Sequence, residues 1–198
     1  MPAEDYSDRT ERRWQPGHRV ATVLAFGHLV LLVLALVAFA DWYQLWHPDG
    51  AALPVQGQLG ILVLVVVLVG ATSLVLVVHE AVHAVVMLLI GIRPQVKVAR
   101  DPYLRFVQTD GASLPRGKFL LLALTPVVGV TCGLLALIAL GPWPGWWVLP
   151  AAVHVAASTP DVVYAVVAAR ARPGSQFTLV ENGLLISEPV TESADDLP

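Results

Sequence analysis

Apolar residues in this chain are gathered into long uninterrupted runs, not spaced as a helical stripe or an alternating strand. Four runs stand out, from about Val20 to Ala40, Leu59 to Ile90, Phe119 to Leu140 and Trp146 to Ala169. A helix crossing the hydrocarbon core of a bilayer needs roughly 20 apolar residues, and each run meets that length. The second run is longer than a bilayer requires. At 1.5 Å per residue it would reach about 48 Å, so it must tilt, bend at Gly70 or project beyond the membrane. The third run contains Thr125-Pro126, and the proline predicts a kink with a freed carbonyl that neighbouring helices can satisfy. Gly129 and Gly133 in the same run, four apart, either allow close helix contact or are simply the glycines common in membrane helices. The fourth run holds Ser158-Thr159-Pro160, where a break or kink is expected.

The segments between the runs are polar and read differently. From Pro94 to Asp110, Val96, Val98, Leu104 and Phe106 alternate around Asp101-Pro102, which predicts a β-hairpin between the second and third helices. Asn182-Gly183 between apolar neighbours predicts a second small hairpin over Phe177 to Ile186. Thr191 to Pro198 is acidic and reads as a disordered tail. The expected fold class is therefore an all-α membrane protein of four transmembrane helices with a small cytoplasmic hairpin. Residues 1–19 form an amino-terminal tail, 20–172 the transmembrane domain and 173–198 a carboxyl-terminal tail.

Composition and charge sharpen this picture. The chain is 56% hydrophobic and 14% charged, against about 45–50% and about 25% in ordinary soluble domains. All 12 Lys and Arg residues fall in the amino-terminal tail, in the segment from Arg93 to Lys118, or at Arg170 and Arg172. None lies in Asp41 to Gln58 or Gly141 to Gly145. The positive-inside rule then places both termini in the cytoplasm of a four-span protein of the cell membrane. Trp42, Trp46, Trp143, Trp146 and Trp147 fall at the opposite interface, as an aromatic belt would. The first run is too long for a signal h-region, so no cleaved signal peptide is expected before it. Cys132 is a lone cysteine in an apolar run, which excludes a disulfide within the chain and reads as a small buried core residue.

The chemistry is concentrated at His79-Glu80-Ala81-Val82-His83. Two histidines four apart share a helix face and can bind one zinc ion, while the adjacent glutamate can act as general base toward a zinc-activated water. Six histidines and six glutamates in 198 residues give roughly 0.005 chance occurrences of this pattern. Ionisable residues inside a span are costly and point to function. A catalytic zinc needs a third protein ligand and one open position. Asp161 and His154 in the fourth run are seven apart and share a face. Asp161 is the first choice as ligand, with His154 then supporting the site or donating to the oxyanion. The reverse, His154 as ligand with Asp161 as its partner, stays open. His28 in the first run has no surroundings that suggest a role, and His18 and His47 are assigned none.

An HExxH motif in one span, a short hairpin, a span with an internal proline and a later span with an intramembrane aspartate resemble the site-2 protease type of intramembrane metalloprotease. More narrowly, the four-span layout is similar to the small prokaryotic membrane family of zincin peptidases, over about Val20 to Ala169. The resemblance implies a zinc ion held by His79, His83 and Asp161, with Glu80 as catalytic base. The fourth span departs from the site-2 pattern, because it has no asparagine and no glycine follows Asp161. The function expected is zinc-dependent hydrolysis of peptide bonds in or near the membrane, with a membrane protein or peptide as substrate and the bilayer as surroundings. The hairpin would bind substrate by strand addition or touch anionic headgroups. Nucleic acid is not an expected partner. Two other readings stand beside this one. The first is a non-catalytic membrane protein with a closed, structural metal site that binds a partner. The second is a metal or proton transporter, ranked last because the first and third spans are nearly free of polar residues.

Overall fold

A computed structural model describes residues 9–50, 57–96, 107–108, 111–180 and 183–189. It is mostly helical, with β1 (Arg9–Trp14), α1 (His18–Trp46), α2 (Gly57–Leu89), β2 (Gln95–Val96), β3 (Val107–Gln108), β4 (Leu114–Pro115), α3 (Arg116–Leu140), α4 (Val148–Ala157), α5 (Thr159–Arg170), β5 (Gln176–Val180) and β6 (Gly183–Pro189) in chain order. A 3₁₀ turn over Pro144–Trp147 leads into α4. Helices α1, α2 and α3, and the Pro144–Arg170 stretch that contains α4 and α5, are each long and apolar enough to cross a membrane.

The helices form because runs of Leu, Val and Ala offer no competing polar side chains, and they end where the sequence supplies stops. Helix α2 passes Gly70 without a break and closes at Gly91, which has φ +86°. There Ile92 N–H donates to the Met87 carbonyl at 2.8 Å and Gly91 N–H to that of Leu88 at 3.1 Å. These two bonds are the pattern of a Schellman cap, whose left-handed position glycine fills without strain. Helix α1 packs mainly on α4, α2 on α3 and α4, and α3 on α5. At the far end from the sheet, Trp42 Nε1–H donates to the Leu135 carbonyl at 3.1 Å, and a His47 ring nitrogen lies 2.9 Å from the Ile138 carbonyl. His47 thereby ties α1 to one of the carbonyls near the end of α3 that lack intrahelical partners.

The chain is not all-α. Strands β1, β6, β5 and β4 pair in that order into one antiparallel sheet. It joins parts of both tails to the segment just before α3. Strand β1 escapes a sequence reading because Arg-Thr-Glu-Arg-Arg-Trp has no apolar alternation, and most of it is exposed. Across β5 and β6, Phe177 pairs with Ile186 and Leu179 with Leu184, which puts the apolar side chains on one face. The pairing of Val180 with Gly183 places the connection at residues 181–182, one position earlier than an Asn182-Gly183 turn, and that connection lies outside the described residues. A Cβ on Gly183 would clash with the Trp14 carbonyl oxygen, so close approach of β1 requires glycine there. The hairpin expected between the second and third helices is represented by β2 and β3, which pair over Gln95–Gln108 and Val96–Val107. Its centre, including Val98, Asp101-Pro102, Leu104 and Phe106, lies outside the described residues, as does the acidic tail.

Two apolar clusters organise the interior. One joins the sheet to the helix ends through Val86, Met87, Phe119, Leu122, Tyr164, Phe177, Leu184 and Ile186. The other, toward the Trp42 end, contains Ala35, Phe39, Val75, Leu134, Ile138 and Ala151. Outside them the helices present apolar side chains outward, among them Val33 and Val37 on α1 and Leu62, Val66 and Val69 on α2. Two expectations are corrected here. Cys132 is exposed on α3, not a core residue, and nothing approaches within 4 Å of a Cβ built on Gly129 or Gly133. The close contacts of α3 instead involve larger residues such as Leu134 and Ile138.

The sheet-end cluster predicts a measurable stability effect. Phe177 is fully buried, with its ring 5.2 Å from that of Phe119. Phe177→Ala should cost about 3–5 kcal/mol in chemical denaturation of the detergent-solubilised protein. A loss under about 1 kcal/mol would show that the sheet is not packed on the helix ends as described.

Candidate metal centre

Helix α2 carries His79, Glu80 and His83 between Val75 of one apolar cluster and Val86 of the other. Helical spacing puts the two imidazoles one turn apart, and their ring centroids are 4.9 Å apart. The fourth apolar run meets them from across the bundle. It is not one helix, since α4 ends at Ala157 and α5 begins at Thr159, with Ser158 between. Pro160 has no amide hydrogen to offer the Ala156 carbonyl. The Thr159 hydroxyl donates to that carbonyl at 2.6 Å, and the Ser158 hydroxyl to the His154 carbonyl at 2.8 Å. The break resets the chain so that Asp161 lies in the first turn of α5. The dipole at a helix's first turn favours a carboxylate.

Asp161 reaches both histidines. Its Oδ2 lies 3.1 Å from His79 Nε2 and its Oδ1 3.6 Å from His83 Nε2. One donor atom from each of the three residues lies within 4.8 Å of the others. With metal–nitrogen and metal–oxygen bonds near 2.0–2.1 Å, two ligands of a tetrahedral zinc sit about 3.3 Å apart. The two observed separations bracket that value, so these residues fit zinc in both chemistry and spacing. His83 Nδ1–H also donates to the Leu122 carbonyl at 3.1 Å, which leaves Nε2 as the lone-pair nitrogen on the Asp161 side. His79 Nδ1 is buried without a hydrogen-bond partner.

The other sequence-selected residues fall into place around this group. Glu80 is partly buried on the same helix turn. His154 is fully buried, its ring centroid 5.1 Å from that of His79 at an interplanar angle of 63°. Neither of its ring nitrogens makes a hydrogen bond, although the Val127 carbonyl is a neighbour. His154 stands beside the three-donor group and is not one of its members. His28 is on α1 and is not among the three. The sequence predicts a carbonyl freed by Pro126 but not that His83 takes it, because a backbone acceptor does not name its partner.

Measured from the sheet-side helix ends, His83 lies about 9 Å from the end of α2 and Asp161 about 14 Å from the end of α5. The centre therefore sits in the half of the bundle nearer the sheet. Residues 72–175 match the model of a protein family described as "putative zincin peptidase". The match spans the motif-bearing part of α2, all of α3, α4 and α5, and more than half of the chain. No curated protein and no solved structure matches.

Proposed function

Because the chain belongs to that zincin peptidase family, we propose that it is a zinc-dependent metallopeptidase of the membrane. Its substrates would be membrane proteins or peptides, cut at peptide bonds in or near the bilayer. The observation that carries this reading is the meeting of His79, His83 and Asp161 from α2 and α5 between two apolar clusters. Three ionisable groups brought together in such surroundings are costly unless they hold something.

His79, His83 and Asp161 would hold the ion. When bound, zinc supplies Lewis acidity, lowering the pKa of a coordinated water and polarising a peptide carbonyl. Glu80 would serve as the general base, accepting a proton from the attacking water and delivering it to the leaving amine. His154 is assigned to the oxyanion that develops on the substrate carbonyl, because both its ring nitrogens are uncommitted beside the centre. The apolar clusters above and below limit bulk water, which strengthens each of these interactions. The contact between His154 and His79 favours one alternative, a closed structural site in which His154 completes the coordination.

Membrane insertion is proposed from the outward apolar surface and the lengths of the four helical stretches. The pairing of β1 with β6 supports a topology in which these two strands lie on one side of a bilayer, with an even number of crossings between them. With Arg93, Arg116, Lys118, Arg170 and Arg172 near that same end of the helices, we place that side in the cytoplasm. Reporter fusions at either terminus should be active only with a cytoplasmic reporter. Activity of a periplasmic reporter at either end would refute the orientation.

Purified protein in detergent should contain one zinc per chain by mass spectrometry. His79→Ala and Asp161→Ala should lose it, and Glu80→Gln and His154→Ala should keep it. A folded wild type without metal sinks the peptidase reading, and loss of metal in His154→Ala selects the closed site.

Hydrolysis should then be measured on fluorogenic unfolded polypeptides and on single-span peptides in proteoliposomes. Glu80→Gln should lower the rate by about 10²–10⁴ and His154→Ala by about 10²–10³, both with zinc retained. Cleavage unchanged in Glu80→Gln would remove Glu80 from the mechanism.

A further inference from the structure

Pro126 is buried in the middle of α3, which continues as a helix on both sides of it. In an α-helix the amide of residue 126 would donate to the carbonyl of residue 122. Proline has no such amide, and its ring pushes against that carbonyl. The Leu122 carbonyl is thus left without its helical donor among apolar neighbours, where an unpaired backbone acceptor is costly. Its partner comes from another helix, as His83 Nδ1–H donates to it at 3.1 Å.

The two prolines flanking the site show that this partnership is specific. At Pro160 the carbonyl left without a helical donor, that of Ala156, is taken by the neighbouring Thr159 hydroxyl. At Pro126 the neighbouring hydroxyl is Thr125, and it donates elsewhere, to the Leu121 carbonyl at 2.6 Å. The Leu122 carbonyl is therefore left for the histidine. His79, facing the same carboxylate, has no corresponding anchor on Nδ1.

We propose that Pro126 is a positioning residue for His83. By withholding an amide it reserves the Leu122 carbonyl for His83 Nδ1–H, which fixes the imidazole tautomer and turns Nε2 toward Asp161. This inference rests on the zinc reading above. Backbone carbonyls that orient ligating histidines commonly matter 10–100-fold to metal affinity. Pro126→Ala would return a competing donor to Leu122 while improving the helix, since alanine is the better helix former. A purely structural proline predicts the opposite pattern, in which stability changes and affinity does not.

The test uses the full chain in detergent, titrated with Co²⁺ and followed by its visible d–d absorption, with zinc affinity from chelator competition. Wild type should take up one ion. If it takes up none, the zinc reading falls and this inference with it. Pro126→Ala should weaken zinc binding about 10–100-fold and alter the d–d bands, with no fall in the thermal midpoint of the metal-free protein. A second variant, Thr125→Pro combined with Pro126→Ala, keeps a helix interruption but releases Leu121 in place of Leu122. It should weaken binding similarly, and it carries the test alone if the single variant does not fold. If wild type binds the ion and either folded variant binds it within twofold with unchanged bands, Pro126 has no positioning role and the zinc reading stands.

Discussion

Polar groups inside an apolar bundle have to find partners, and the functional half of this protein is arranged around that constraint. The carboxylate of Asp161 sits between the imidazoles of His79 and His83, and neither helix could bring its ionisable groups inward alone. The broken fourth apolar run places the carboxylate in a helix's first turn, where the helix dipole favours it. The interrupted hydrogen-bond ladder of α3 supplies a carbonyl that holds one imidazole. Each departure from regular helix near the centre is matched by a polar contact that serves it.

His154 shows the same constraint unmet. A fully buried imidazole whose nitrogens have the Val127 backbone as a neighbour but no hydrogen bond of good geometry is an uncommon arrangement. It lies against His79, the less anchored of the two HEAVH histidines. The centre is therefore asymmetric, with His83 tied to α3 and His79 bordered by a second imidazole.

Much of this could be read from residues. Long apolar runs announce helices without ambiguity, so the bounds of α2 and α3 differ little from the sequence expectation. The HEAVH spacing, the aspartate after Ser158-Thr159-Pro160 and the break there were equally legible, because proline and ionisable residues in apolar runs leave few alternatives. What escaped rests on contacts between distant segments. Strand β1 looks like a charged tail until β6 is seen beside it. The outward position of Cys132 depends on which face of α3 the neighbours cover. That Pro126 frees a carbonyl was legible, but which side chain would take it was not, because that depends on which helix packs there.

The sheet has a consequence for how the protein is made. Its strand Arg9–Trp14 leaves the ribosome before the helices, while its partner, Gly183–Pro189, follows them. Strand β5, which joins β4 to β6, also follows them. Every helix bearing the candidate centre is therefore complete before the sheet can close over their ends. Pairings of such sequence separation form slowly. During synthesis the apolar ends of α2, α3 and α5 stand uncovered, and a nascent chain stalled before Gln176 would hold all three candidate ligands but lack the layer that packs against them.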